Sequence, residues 1–88
     1  MAKVFVALGD EHRQRILLTF EKGERLTVGQ IAEVSTLSRP AVSHHLKILR
    51  AADILESEKI GKEVYLWINK DTLQETLADV LEFVRENS

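Results

Sequence analysis

The stretch Thr36 to Arg50, TLSRPAVSHHLKILR, constrains this chain more than any other, because it carries both a helix start and a division of faces. Ser38 can accept a hydrogen bond from a free first-turn amide, and Pro40 suits the first turn, where its missing N–H is not needed. A helix is therefore expected from about Arg39. At about 100° per residue, Val42, Leu46 and Leu49 share one face with His45 at its margin, while Pro40, Ser43, His44 and Lys47 lie on or toward the other side. One face is anchored and the other is offered.

Charge indicates what the offered face meets. Between Thr36 and Arg50 stand three cations, Arg39, Lys47 and Arg50, and no acid, although acids outnumber Lys plus Arg by 14 to 12 over the chain. The net charge of −2 argues against a nonspecific polyanion binder, so the local concentration has to carry the reading. A helix with an apolar anchor and a cationic, hydrogen-bonding outer face reads as one that enters DNA.

The preceding residues supply its support. Val4, Phe5 and Leu8 recur at helical spacing in a segment too small to fold alone. After Gly9, Asp10 can cap an amphipathic helix expected over Glu11 to Lys22, with Ile16, Leu17 and Phe20 inward, His12, Arg13 and Arg15 on its polar flank, and Gly23 as its stop. Thr27 and Gln30 have capping-box spacing, so a short helix should run from Val28 to about Val34. Ser35, Thr36 and Leu37 then form a turn, and two short helices so joined make a helix-turn-helix.

Beyond Asp53 the period changes. Ile54 to Lys59 and Lys62 to Asn69, joined at Ile60 and Gly61, read as a β-hairpin, with Val64, Leu66 and Ile68 on the core face and Tyr65 and Trp67 on the other. Gly61 supplies the positive φ of the turn and sets Lys62 at its tip. A last helix, Thr72 to Glu86 with Asp71 or Asn69 as cap, carries Leu73, Leu77, Val80, Leu81 and Val84 at three- and four-residue steps. Its acids, Asp71, Glu75, Asp79, Glu82 and Glu86, lie nearly opposite. The expected fold is mainly α with a small β-hairpin: a winged helix-turn-helix of about five helices and a two-stranded wing, one domain over residues 1–88.

Three stretches, ALGDEHRQRILL, LSRPAVSHHLKILRAADIL and KIGKEVYLWI, together resemble the ArsR/SmtB family of winged-helix transcriptional repressors over nearly the whole chain. The resemblance implies a homodimer joined through the first and last helices, two recognition helices in successive major grooves, and wings on flanking minor grooves or phosphates. The residues agree: Val4, Phe5, Leu8, Leu73, Leu77, Val80, Leu81 and Val84 are surplus for a small monomer, and a two-fold contact would bury them. The alternative is that they cover the monomer's own core.

Within the DNA face, Ser43 and His44, then Arg39, are the candidates for base edges, with Ser38 and Pro40 at the helix start. Lys47, and in the wing Lys59 and Lys62, suit phosphate, where a point charge releases counterions without reading sequence. Each polar residue has a plainer alternative as a solvated surface group, and His45 reads as a packing histidine.

Many members of the resembled family sense metals through thiolates or through carboxylate–histidine sets in the last helix. This chain has no cysteine, and its last helix has no histidine, so no metal or other cofactor is expected and the acids read as a solvated face. The sequence also lacks a Gly-rich phosphate loop, GxSxG and HExxH, so an enzyme is not expected.

No apolar run approaches a membrane span, and a cytoplasmic, soluble protein is expected. The function expected is a sequence-specific, DNA-binding transcriptional regulator, a dimeric repressor on an inverted-repeat operator, with the inducing effector unspecified. The rival is a winged-helix protein-interaction module that does not bind DNA, using Tyr65, Trp67 and the acidic helix. Trp67 itself could mark a small apolar ligand, a protein effector, or packing.

Overall fold

The computed structural model describes residues 2–88. Helices α1 (Ala2–Leu8) and α2 (Glu11–Thr19) precede a short strand β1 (Leu26–Thr27). Helices α3 (Val28–Val34) and α4 (Arg39–Ala51) form the helix-turn-helix; strands β2 (Leu55–Ile60) and β3 (Glu63–Ile68) form the wing; helix α5 (Lys70–Glu86) follows. The sequence-based fold class holds: five helices and a wing hairpin.

Local chemistry places the helix starts. Asp10 accepts from the amides of His12 and Arg13 to begin α2. Thr27 and Gln30 form the reciprocal capping box of α3, and Ser38 accepts from the Ala41 amide at 3.3 Å to begin α4. Asn69, rather than Asp71, caps α5, which starts two residues before the expected Thr72.

Three expectations need correction. Helix α2 ends at Thr19 instead of Lys22: Phe20 is already extended at ψ 133°, and Gly23, at φ 70°, belongs to the turn that follows. The chain has to leave the helix there to feed a third strand, which the expectation of a two-stranded sheet omitted. Leu26 pairs antiparallel with Leu66 and Thr27 with Tyr65, giving the order β1-β3-β2. The first wing strand is also displaced by one residue, to Leu55–Ile60.

Register then sorts the wing. Leu55 opposes Ile68 and Ser57 opposes Leu66 on the core face; Glu56 opposes Trp67 and Glu58 opposes Tyr65 on the outer face. The two-residue turn Gly61–Lys62 has a positive φ, 62°, at Gly61 alone, the pattern of a turn that takes Gly first.

The core sits where α4 packs against α1, α2, α3 and β2. Val42, Leu46 and Leu49 are buried together with Ile16, Ile31 and Leu66. Burying a side chain of this size contributes about 1.5–3 kcal/mol, so the inner face of α4 is the principal anchor of the fold. Its end is a Schellman turn: Asp53 N–H donates to Arg50 and Ile54 N–H to Leu49, both at 3.0 Å, with Asp53 left-handed at φ 59°.

Candidate nucleic-acid interface

With Val42, Leu46 and Leu49 committed inward, α4 leaves Pro40, Ser43, His44, Lys47 and Arg50 exposed. This is the division of faces expected from helical phase. Ser38 is exposed as well, although its hydroxyl is engaged in the cap.

Arg39 takes a different course. Its guanidinium lies back over α3, with Nη1 and Nη2 at 3.8 and 4.0 Å from the position a side chain on Gly29 would occupy. A Cβ at Gly29 would meet the guanidinium at ordinary van der Waals distance, and Arg39 itself is exposed.

The outward cations are free of acids. Among the described residues the ion pairs are Arg13–Asp10, Arg15–Glu11 and Arg25–Glu58, so Arg39, Lys47, Arg50, Lys59 and Lys62 keep uncompensated charge. Lys47 and Arg50 lie on α4, while Lys59 stands near the wing tip opposite Val64 and Lys62 is in the turn. An unpaired cation is available to phosphate without first breaking a local bridge.

One residue of this region was misplaced by the sequence reading. Arg13, expected on a polar flank, has a side chain only 11% exposed. Its Nε donates to Ala7 O at 2.7 Å and its Nη2 to Val6 O at 3.2 Å, satisfying carbonyls at the end of α1. Its Nη1 stands 3.1 Å from Nδ1 of His45, on the margin of the recognition face. Arginine cannot give up its proton, so Nη1 is the donor and His45 Nδ1 the acceptor, which places the proton of the neutral imidazole on Nε2.

Electrostatics favour that state. Burial of the ring foremost holds the His45 pKa below the usual histidine value; Asp10 pulls it upward, and Arg13, His12 and His44 push it further down. The His45 ring lies 5.7 Å from that of His12 and 5.8 Å from that of His44, centre to centre. The packing role expected for His45 thus includes a specific polar bond. Asp10 is depressed as well, first by the Arg13 amide it accepts from.

The wing's outer face is occupied by its own contacts. Trp67 Nε1 donates to Glu56 at 2.9 Å, and the Arg25 guanidinium sits 3.9 Å from the ring centre while also bridging to Glu58. Glu56, Glu58 and Glu63 make this face acidic, so it is the less suitable side for a phosphate backbone.

The terminal helices divide into two sets. Val4 is 5% exposed and belongs to the protomer's own core, and Leu8 and Leu73 pack against that core. Phe5, Leu77, Leu81 and Val84 are 41–54% exposed, Val80 is half-buried, and Phe83, which the periodicity did not single out, is 65% exposed. No residue of α5 is fully buried.

The donors present do not fit a metal. Among the described residues no group of three or more His, Cys, Asp or Glu is placed to hold an ion, and no thiolate or last-helix histidine exists to complete one.

A capped helix anchored by one face and cationic on the other, preceded by a short helix and followed by a wing, defines a winged helix-turn-helix DNA-binding regulator. Residues 10–57 match the family described as bacterial regulatory protein, arsR family. The chain is 36% identical over 86 residues to the transcriptional repressor SdpR of Bacillus subtilis, covering 98% of this chain and 94% of that one. It is 30% identical to the transcriptional repressor SmtB homolog of Synechocystis, covering 99% of this chain and 65% of that one. An ArsR-like transcriptional regulator from Rhodococcus sp. RHA1 superposes with a TM-score of 0.88 at 30% identity, over 97% of this chain and 77% of that one. The chain belongs to the arsR family of DNA-binding transcriptional regulators, which are not enzymes.

Proposed function

We propose that residues 1–88 act as one unit, a homodimeric cytoplasmic repressor that binds an inverted-repeat operator in double-stranded DNA. The observation that carries this is the pairing of two uncovered surfaces: the outer face of α4 with its unpaired cations, and the apolar stripe of Leu77, Leu81 and Val84 on a helix with no fully buried residue in its own protomer. A second copy covers the stripe, together with Phe5, Val80 and Phe83, and brings two α4 helices to one side of the dimer. Val4 and Leu73 support that interface from the protomer core. The names of the relatives, both transcriptional repressors, support the direction of regulation.

In this reading Ser43 and His44 reach base edges, and Arg39 joins them after leaving α3. Ser38 and Pro40 bring the start of α4 close to the backbone. Lys47, Lys59 and Lys62 meet phosphates. A mobility-shift assay against genomic fragments at moderate salt tests it: binding that survives excess random competitor supports the repressor, and binding erased by competitor contradicts it.

A further inference from the structure

The Arg13–His45 contact ties together α1, α2 and α4. Arg13 comes from α2, its Nε and Nη2 bind the last carbonyls of α1, and its Nη1 reaches α4 one residue from His44. All three nitrogens of the guanidinium are thereby used, each in one direction, and the planar fork cannot swing to satisfy two partners while sparing the third.

We propose that Arg13 is a positioning residue for DNA binding, fixing α4 against the end of α1 through His45, and that the bridge holds only while His45 is neutral, so that DNA affinity falls on mild acidification. Protonated His45 carries N–H on both ring nitrogens, and Nδ1 then meets a guanidinium N–H, donor against donor and cation against cation. The bond opens, and the margin of α4 next to His44 loses its tie to α1.

The groups around the ring come from three elements. From α2 and its cap come Asp10, which favours the cation, and His12 and Arg13, which oppose it; from α4 comes His44, which opposes it. From α1 come the Val6 and Ala7 carbonyls, both held by Arg13, while its lysine, Lys3, sits at the helix's other end. Protonation of the outward His44 would strengthen attraction to phosphate, so it predicts the opposite trend and separates the two histidines.

The test measures equilibrium affinity of the full chain for a selected bound DNA fragment, at constant ionic strength, between about pH 7.5 and about pH 5. Circular dichroism at each pH establishes that the fold is retained. The wild type should lose roughly tenfold in affinity, which corresponds to about 1.4 kcal/mol. His45→Asn, whose side-chain oxygen can accept from Arg13 at any of these pH values, should lose less than about threefold. Arg13→Lys, which keeps the charge but cannot span the three acceptors, should bind more weakly than wild type already at neutral pH.

A ring-resonance titration by NMR on the wild type covers the case of an unfolded variant: the midpoint of the affinity loss should follow His45. A pH-independent wild type, an equal loss in His45→Asn, or a midpoint that follows His44 or His12 would overturn the proposal.

Discussion

Ile54 N–H donates to the carbonyl of Leu49 at 3.0 Å, closing the end of α4 while both side chains stay fully buried. The closure requires a left-handed residue between them, and the chain uses Asp53 at φ 59°. Aspartate tolerates that region better than most residues but still less well than glycine. Asp53→Gly should therefore raise stability by about 0.5–1 kcal/mol, and Asp53→Val should lower it by at least that much, read from urea midpoints at unchanged slope.

Two adjacent residues of α4 should respond in opposite ways. Leu46 is 2% exposed, and Leu46→Ala should cost about 2–5 kcal/mol of stability. Lys47 is exposed and in no ion pair among the described residues, so Lys47→Ala should leave the melting curve within about 0.5 kcal/mol while making the salt dependence of DNA binding shallower by about one unit. An unchanged salt slope would remove Lys47 from the phosphate contacts.

Base reading is separable from charge. His44→Ala and Ser43→Ala should each reduce discrimination between operator and random DNA by about 1–3 kcal/mol where a base contact is lost. Equal losses on both DNAs would assign that residue to the backbone instead.

Much of this was legible because helix starts are local. A capping side chain and its amide lie three residues apart, so Thr27 with Gln30 and Ser38 with Ala41 announced α3 and α4 to the residue, and the inner face of α4 followed from phase. Strand β1 was not legible, since two residues show no period and their pairing with β3 is fixed from 40 residues away, the separation of Leu26 from Leu66. Arg13 could have been placed: it lies three residues before Ile16 and four before Leu17, on the core side of α2. Charge suggested solvent, but the carbonyls of α1 gave the guanidinium buried partners that only the tertiary structure creates.

Stability should fall in two acid windows. The His45 pKa is lowered on folding, so its contribution is complete above the unfolded value, about 6.5, and is lost as pH falls through the folded one. Asp10 is likewise lowered, and its contribution survives until pH drops below the ordinary carboxylate value of 3.8. A plot of melting temperature against pH should show both steps, with the upper absent in His45→Asn and the lower reduced in Asp10→Asn.

The stripe on α5 provides the dimer test. Leu77 and Leu81 are 54% and 50% exposed in the protomer, so Leu77→Glu with Leu81→Glu should leave the protomer core intact, convert the protein to a monomer by sedimentation, and reduce operator affinity by more than about tenfold. A variant that remains dimeric would place the interface elsewhere.

The most direct measurement is a hydroxyl-radical footprint on a selected DNA fragment. If α4 reads DNA as one half of a two-fold pair, two protected half-sites should appear in inverted orientation, roughly 10 base pairs or a multiple apart, matching recognition helices about 34 Å or a multiple apart. A single, unsymmetrical protected site would contradict that arrangement.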